Sequence, residues 1–359
     1  MARTRAFALV EVLVVVCLAA VLLAVCLPTI REQRRQASIK ADLNSMRFIA
    51  QASAMYSGAN AGRLFTFSWE PGQVPVTPNK QLAMACANLN PNNASSQIQA
   101  PAIQVLDLVT YGFKDDRLAP TVDNVGANFT PYPIYNHLVL ALFMGEELPS
   151  DLFASQGDKH RSFWLQNLDA YLDDPNSSPV RPPTTSSLYN QLWRWAFSSS
   201  YMVGPSHYSN DIGSPNQFEL PLTASRISSN QRAWVLPNQT GVLGRRNMSE
   251  VAFPSMKVMM FDEFDRYNAK GRQYFGLETA SSIMNFYDGH AARLDTADAN
   301  FGFWPNNPGF GADEPDQPSA QYSYLPFAGW DPPDAVDRVV PVRYDQTRNG
   351  LQGIDYPGK

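Results

Sequence analysis

"FALVEVLVVVCLAAVLLAVCLPTI", residues 7–30, is an apolar run broken by one acid, Glu11. Without that glutamate the stretch from Phe7 to Leu27 is long enough to cross a bilayer core as a helix, which takes about 20 apolar residues. A carboxylate inside the hydrocarbon is expensive unless it is shallow, neutral or paired. Glu11 therefore sits near the membrane surface or meets a partner that the lone chain does not supply. A basic leader, "MARTRA", precedes the run, and no small-residue cleavage site of the secretory kind closes it. The run ends instead at Pro28 and passes into "REQRRQASIKADLNSMRFIAQASAMY", rich in strong helix formers. Ile39, Leu43, Met46 and Ala50 recur three or four apart, a narrow apolar stripe on a charged rod. The pattern predicts one helix over residues 7–57, spanning the membrane over about 7–30, with Pro28 as a point of bending because proline removes a helical hydrogen bond.

The rest of the 359-residue chain is of another kind: polar and rich in Pro (28) and Gly (21), with a net charge of −5. This charge, and the absence of a basic stripe, argue against nucleic acid as a partner. Three cysteines, Cys17, Cys26 and Cys86, form no disulfide framework. Lys and Arg are sparser before the apolar run (Arg3, Arg5) than after it (Arg31, Arg34, Arg35, Lys40). By itself that count keeps the large domain on the cytoplasmic side.

Taken together, residues 5–30 resemble the N-terminus of type IV prepilins and of the pseudopilins of type II secretion. In that family a prepilin peptidase cuts the leader on the cytoplasmic face before a phenylalanine, which is then N-methylated. Glutamate is the fifth residue of the processed chain, and a proline near the twenty-second is common. Here the cut falls between Ala6 and Phe7, Glu11 is fifth, and Pro28 is twenty-second. Ala6 departs from the usual glycine. The resemblance implies that Phe7, Glu11 and Pro28 serve assembly, Glu11 facing the free amine of a neighbouring subunit's Phe. It also implies homo- or hetero-oligomeric pilin-like partners, an inner-membrane assembly machinery, and a single-pass inner-membrane protein whose bulk lies in the periplasm or on an extracellular filament, against the charge count. A second segment, "SSIMNFYDGHAARLDTADANFGFWPNNPGF" (281–310), is similar to a segment of large prepilin-type proteins of planctomycetes, which often show His, nine residues, then Asp-Gly-His; Asp288, Gly289 and His290 are present, but Glu278 stands ten residues before Asp288 in place of the histidine. The closing "GLQGIDYPGK" resembles the ends of some of these proteins. The fold implied is α+β and pilin-like, a long N-terminal helix entering an outer domain with antiparallel sheet.

In the outer domain, 58–359, "RLFTFSWE" (63–70), "KVMMFDEF" (257–264) and "SIMNFY" (282–287) read as strands. "AIQVLDLVTYG" (102–112) and "IYNHLVLALFMG" (134–145) read as helices. The stretch 174–190 reads as a surface loop and candidate lobe boundary, 304–340 as an irregular arm, and "YMVGPSHYSND" (201–211) as a polar loop. Asp288-Gly289 reads as a two-residue hairpin turn. Asp262, Asp265 and Asp288 on neighbouring strands are candidate calcium ligands, since calcium takes hard oxygen donors, and the resembling major pseudopilins use calcium in their C-terminal domains. No twelve-residue calcium loop is present, and the four histidines lack zinc spacing. No nucleophile elbow, phosphate-binding glycine loop or metalloprotease helix occurs, so no catalysis is expected. Three functions remain in view: a filament subunit, a non-polymerising anchored protein that binds glycan or calcium, and an anchored hydrolase with two acids across a cleft.

Overall fold

The computed structural model describes residues 9–357 except 94, 114–115, 119–124, 126–128, 210–223, 228–229, 236–242 and 303–320. Its first element, α1 (Leu9–Ala59), is one helix of 51 residues that runs through Pro28 without interruption. It ends where Asn60, Ala61 and Gly62 reverse the chain, Ala61 and Gly62 both at positive φ. The first half is long and apolar enough to span a membrane. Leu9 to Ile30 covers about 33 Å at 1.5 Å per residue. The second half is packed into an α+β body. Ile39, Asp42, Met46, Ile49, Ala50, Ser53 and Ser57 are buried at the three- and four-residue spacing of one helical face. Leu43 lies at the edge of this stripe, partly buried.

Four antiparallel strands form the main sheet in the order β1 (Tyr201–Val203), β4 (Val258–Asp262), β7 (Ser281–Phe286), β8 (Ala291–Asp295). Three short hairpins surround it: β2 (Ser225–Ile227) with β3 (Asn230–Val235), β5 (Phe264–Asp265) with β6 (Gln273–Tyr274), and β9 (Gln321–Tyr324) with β10 (Arg338–Pro341). The helices α2 (Lys80–Ala87), α3 (Ser96–Phe113), α4 (Tyr132–Tyr135), α5 (His137–Met144), α6 (Lys159–Gln166), α7 (Leu168–Asp173) and α8 (Tyr189–Leu192) come from the stretch before the sheet. Strand β7 is buried on both faces beyond Ser281. One face meets α1, where the Asn285 side chain donates to the Met46 carbonyl at 2.9 Å. The same side chain accepts from Met260 N at 2.9 Å, beside a register shift between Val258 and Met260 that leaves this N–H outside the regular ladder. Its two ends thus tie helix to sheet.

The expected strand at 63–70 is a departure. Leu64 to Phe67 are buried, but only Arg63 makes a strand bridge, to Asn247, and the chain bends at Phe65. The backbone groups go to other partners: Leu64 N to Arg246 O, Ser68 N and Trp69 N to the Gln104 side chain, and Phe65 O to His207 Nε2 at 2.9 Å. Because buried backbone groups need partners but not a particular kind of partner, the apolar run was legible and its ladder was not. The segment 201–211 departs the other way: Tyr201–Val203 is a strand, and Ser206, His207 and Ser209 are buried. The loop 174–190 is as expected on the surface, held by Trp164 Nε1 to Val180 O and Asn176 Nδ2 to Ser187 O. Residues on both sides of it belong to one apolar cluster.

The C-terminal segment closes the body. Asp355 accepts from Lys257 Nζ and Val258 N, each at 2.9 Å, and from Thr347 Oγ1 at 2.6 Å, clamping the chain end to the start of β4. Gly353 is required there, since a Cβ would lie 1.9 Å from the Arg348 carbonyl oxygen.

Two outcomes follow from these contacts. Asp42, 1% exposed, accepts from Ser155 Oγ (2.5 Å), Gln156 N (2.8 Å) and Tyr267 OH (2.7 Å). Asp42→Ala strands these donors and is expected to lower stability by about 3 kcal/mol or more in denaturant titration of the detergent-solubilised chain. His207, buried between Phe65 O and Tyr287 OH, has its pKa pushed down to about 3, chiefly by burial. The folded state thus binds fewer protons than the unfolded below pH 6.5. Stability is full above that pH and falls toward pH 3, by up to about 1.4 kcal/mol per pH unit from this group. In His207→Gln, melts across that range should show a slope shallower by that share.

Candidate functional site

The protruding half of α1 is the first candidate. Ala6 and Phe7 lie outside the described residues. Glu11 is within α1, near its start, and Pro28 is in its interior and exposed. Val12 to Val16, Leu18, Val21, Leu27 and Ile30 each expose between 43% and 61% of their surface. These values are what a lone helix shows, so no part of the described body covers this band. Contiguous apolar surface of this extent on a water-soluble face is rare. Below the band Arg35 pairs with Glu32 at 2.8 Å and donates to Tyr267 O at 2.8 Å. That contact fixes the point at which the rod leaves the body.

The Asp262–Asp265–Asp288 group is the second candidate, and the structure corrects it. Asp265 lies at the start of β7, accepting from Ser281 N at 2.9 Å, whereas Asp288 follows the strand's far end. Seven residues of extended chain separate those points by about 23 Å, too far for shared coordination of one ion. Each carboxylate is also engaged elsewhere. Asp262 meets Arg266 at 2.8 Å, Asp265 meets Arg293 at 3.1 Å, and Asp288 meets His290 Nδ1 at 2.6 Å. No cluster of three or more His, Cys, Asp or Glu suited to a metal occurs among the described residues.

The Asp-Gly turn is corrected in detail too. Phe286 N bonds to His290 O, so the hairpin loop is three residues, Tyr287-Asp288-Gly289, and only Gly289 has positive φ (+95°). Asp288 instead caps the return, accepting from His290 N at 3.1 Å. A three-residue loop with glycine at its left-handed position is an alternative to the two-residue turn. The dipeptide does not separate the two. The His290 ring stacks on Phe286, 4.1 Å between centroids, which gives the histidine a packing role.

Asp262 belongs to a buried ionic cluster the sequence did not disclose. Asp158 pairs with Arg161 (2.6 Å) and Arg266 (3.0 Å), and Arg266 reaches on to Asp262. Asp158 also accepts from Ser200 Oγ (2.7 Å) and from His160 N and Arg161 N at the start of α6. Burial pushes the Asp158 carboxyl upward, but Arg266, Arg161 and Ser200 outweigh it and hold it well below the ordinary range. Burial dominates at Asp262, where Arg266 and the Phe264 N–H offset it only in part, and its carboxyl rises to about 7. Two acids pushed apart in this way mark acid–base sites in hydrolases. Here, however, the four side chains are 2% exposed or less. The cluster positions α6 against the sheet; its only sequence signal is an Asp as N-cap three residues before Arg161.

No family profile matches this chain, and neither a characterised protein nor a solved structure is significantly similar to it.

Because Asp262 and Asp265 are neutralised by arginines, calcium chloride is expected to leave the melting temperature unchanged against an EDTA control. An ion bound at a hundredth of the added concentration would stabilise by about 2.7 kcal/mol, visible as a rise of several degrees.

Proposed function

We propose that this chain is a membrane-anchored subunit of a type IV pilus-like or pseudopilus-like filament, with a pilin-like arrangement of helix and body. A single observation carries the reading. One unbroken helix has a C-terminal half packed into the body and an N-terminal half whose described apolar side chains, from Val12 to Ile30, find no partner among the described residues of the body. In the membrane lipid covers that band; in a filament, the same band of neighbouring subunits does. Small residues such as Ala19 and Ala20 let such helices approach closely.

In this reading the prepilin peptidase cuts after Ala6, and the free amine of Phe7 becomes the counter-charge for Glu11 of an adjacent subunit. Pairing meets the expense of an intramembrane carboxylate only on assembly, which makes Glu11 a registration device as well as an anchor residue. The body then faces the periplasm or the filament exterior, and the chain's work is assembly rather than catalysis.

Mass spectrometry of the mature N-terminus from native membranes tests the first step. The expected species begins at N-methylated Phe7; a chain that retains Met1 or Ala2 overturns the reading in favour of a non-polymerising anchored protein. Glu11→Ala is expected to abolish recovery in sheared filament fractions while the body keeps its melting temperature.

A further inference from the structure

The helix α1 itself measures how far the body stands from the membrane. Ile30 is the last apolar residue of the exposed band, and every residue from Cys26 to Arg34 is exposed. Arg35 then meets the body, donating to the Tyr267 carbonyl at 2.8 Å. Five residues of helix separate Ile30 from Arg35, about 7.5 Å. The headgroup layer beyond the hydrocarbon is about 5–8 Å thick on each side. With the apolar half of α1 across a bilayer, the body therefore begins at the outer edge of that layer. The segment that stands there is the turn 268–271 between β5 and β6, closed by Gly271 N on Asn268 O at 3.1 Å, with Ala269, Lys270 and Gly271 exposed.

The rod brings cations to the same side. Residues four apart share a helical face, so Arg31 lies on the face of Arg35, one turn nearer the membrane, with Arg34 beside it. Arg31, Arg34 and Lys270 are exposed, and none has an acid within ion-pair distance among the described residues. Lys270 also borders a hollow of about 170 Å³ with Arg272 and Arg338. Of the acids at this level, Glu32 is paired with Arg35, Asp265 with Arg293 and Glu278 with Arg343. Asp334, in the hollow, and Asp295, bonded to Ser281 Oγ, are the acids left to oppose the free cations. Lys and Arg ordinarily mark the cytoplasmic flank of a span, whereas the proposed orientation places this flank outside. Cations held there against that bias call for a counterpart at headgroup height. The phosphates of anionic lipid are one, and each Lys or Arg close to such a surface strengthens binding roughly fivefold.

We propose that this end of the body is a docking surface for anionic phospholipid: headgroup phosphates of the surrounding leaflet are held by Arg31, Arg34 and Lys270 and seat the β5–β6 turn on the bilayer. The surface rests on the reading above only as far as the membrane anchor, and it is independent of filament assembly. Held at both rod and turn, the body keeps one orientation to the membrane plane, which a single helix through the bilayer does not give it.

The test uses the full chain in nanodiscs of phosphatidylcholine, or of an equal mixture with phosphatidylglycerol, each holding a trace of lipid with a spin-labelled headgroup. A fluorophore on Ala269→Cys, in a chain with Cys17→Ala and Cys26→Ala and with the buried Cys86 retained, reads contact with the headgroups by quenching. The same fluorophore on Ala59→Cys, about 36 Å further along the helix than Arg35, is the distant control. Quenching at Ala269→Cys is expected to be at least threefold stronger in the anionic discs. Roughly 0.5 M NaCl, where the screening length is about 4 Å, should remove the excess. Arg31→Gln with Lys270→Gln should halve it or more, and Ala59→Cys should stay unquenched throughout. Equal quenching in the two discs, none in either, or an excess that survives salt or the double variant overturns the proposal. If the double variant does not insert, salt and lipid composition decide. Alkaline carbonate extraction of native membranes checks the anchor itself. A chain released by it has no anchor, and the docking surface falls with that reading; a retained chain whose turn is not quenched overturns the docking surface alone.

Discussion

The body is organised around the burial of the second half of α1, and the contact that makes this burial specific is polar. Apolar residues on the helical stripe supply the drive, since each buried aliphatic side chain contributes on the order of 2 kcal/mol, but they would tolerate slippage along the sheet. Asp42 and the Met46 carbonyl do not. Asp42 is reached by donors from the 155–156 turn and from Tyr267, and Met46 O by Asn285 from the middle of β7. Moving the helix by one turn would leave these groups buried and unpaired. A helix whose apolar, membrane-length half projects from the body just beyond Arg35 gains from such a fixed register.

The same economy of buried polar groups explains why acids that look suited to a metal are occupied otherwise. Asp262 and Asp265 stand on β4 and β5, where the sheet meets α6 and the β5–β6 hairpin, and each is matched by a guanidinium. Asp355 does the equivalent at the chain end with Lys257. Buried pairs of this sort add little net stability over apolar packing, yet breaking one partner is strongly unfavourable. They therefore restrict which arrangements of the irregular segments survive. In a body with four short strands in its main sheet and many loops, that restriction matters more than it would in a regular fold.

Legibility was uneven for physical reasons. The helix α1 was readable because its signal is periodic and long: an apolar run of membrane length, then a stripe at three- and four-residue spacing, with Gly62 after it. Helix α3 and strands β4 and β7 were readable from apolar runs bounded by turn residues. The segment 63–70 looked like β4 and was not a strand, since a buried segment can satisfy its backbone from side chains such as Gln104 and His207. Asp288-Gly289 marked a turn correctly, but its loop length depends on which carbonyl Phe286 N meets across the hairpin.

What the sequence determined by itself is the division of the molecule: a membrane-length helix carrying one acid, Glu11, near its start, continuous with a polar α+β body. Those features are local, written in hydropathy and period. What only the tertiary structure decided is which distant polar groups meet. Asp158 finds Arg266 across 108 positions, and Asp42 finds Tyr267 across 225. Such pairings leave no periodic trace, because the partners are brought together by packing of elements whose spacing in the chain is arbitrary.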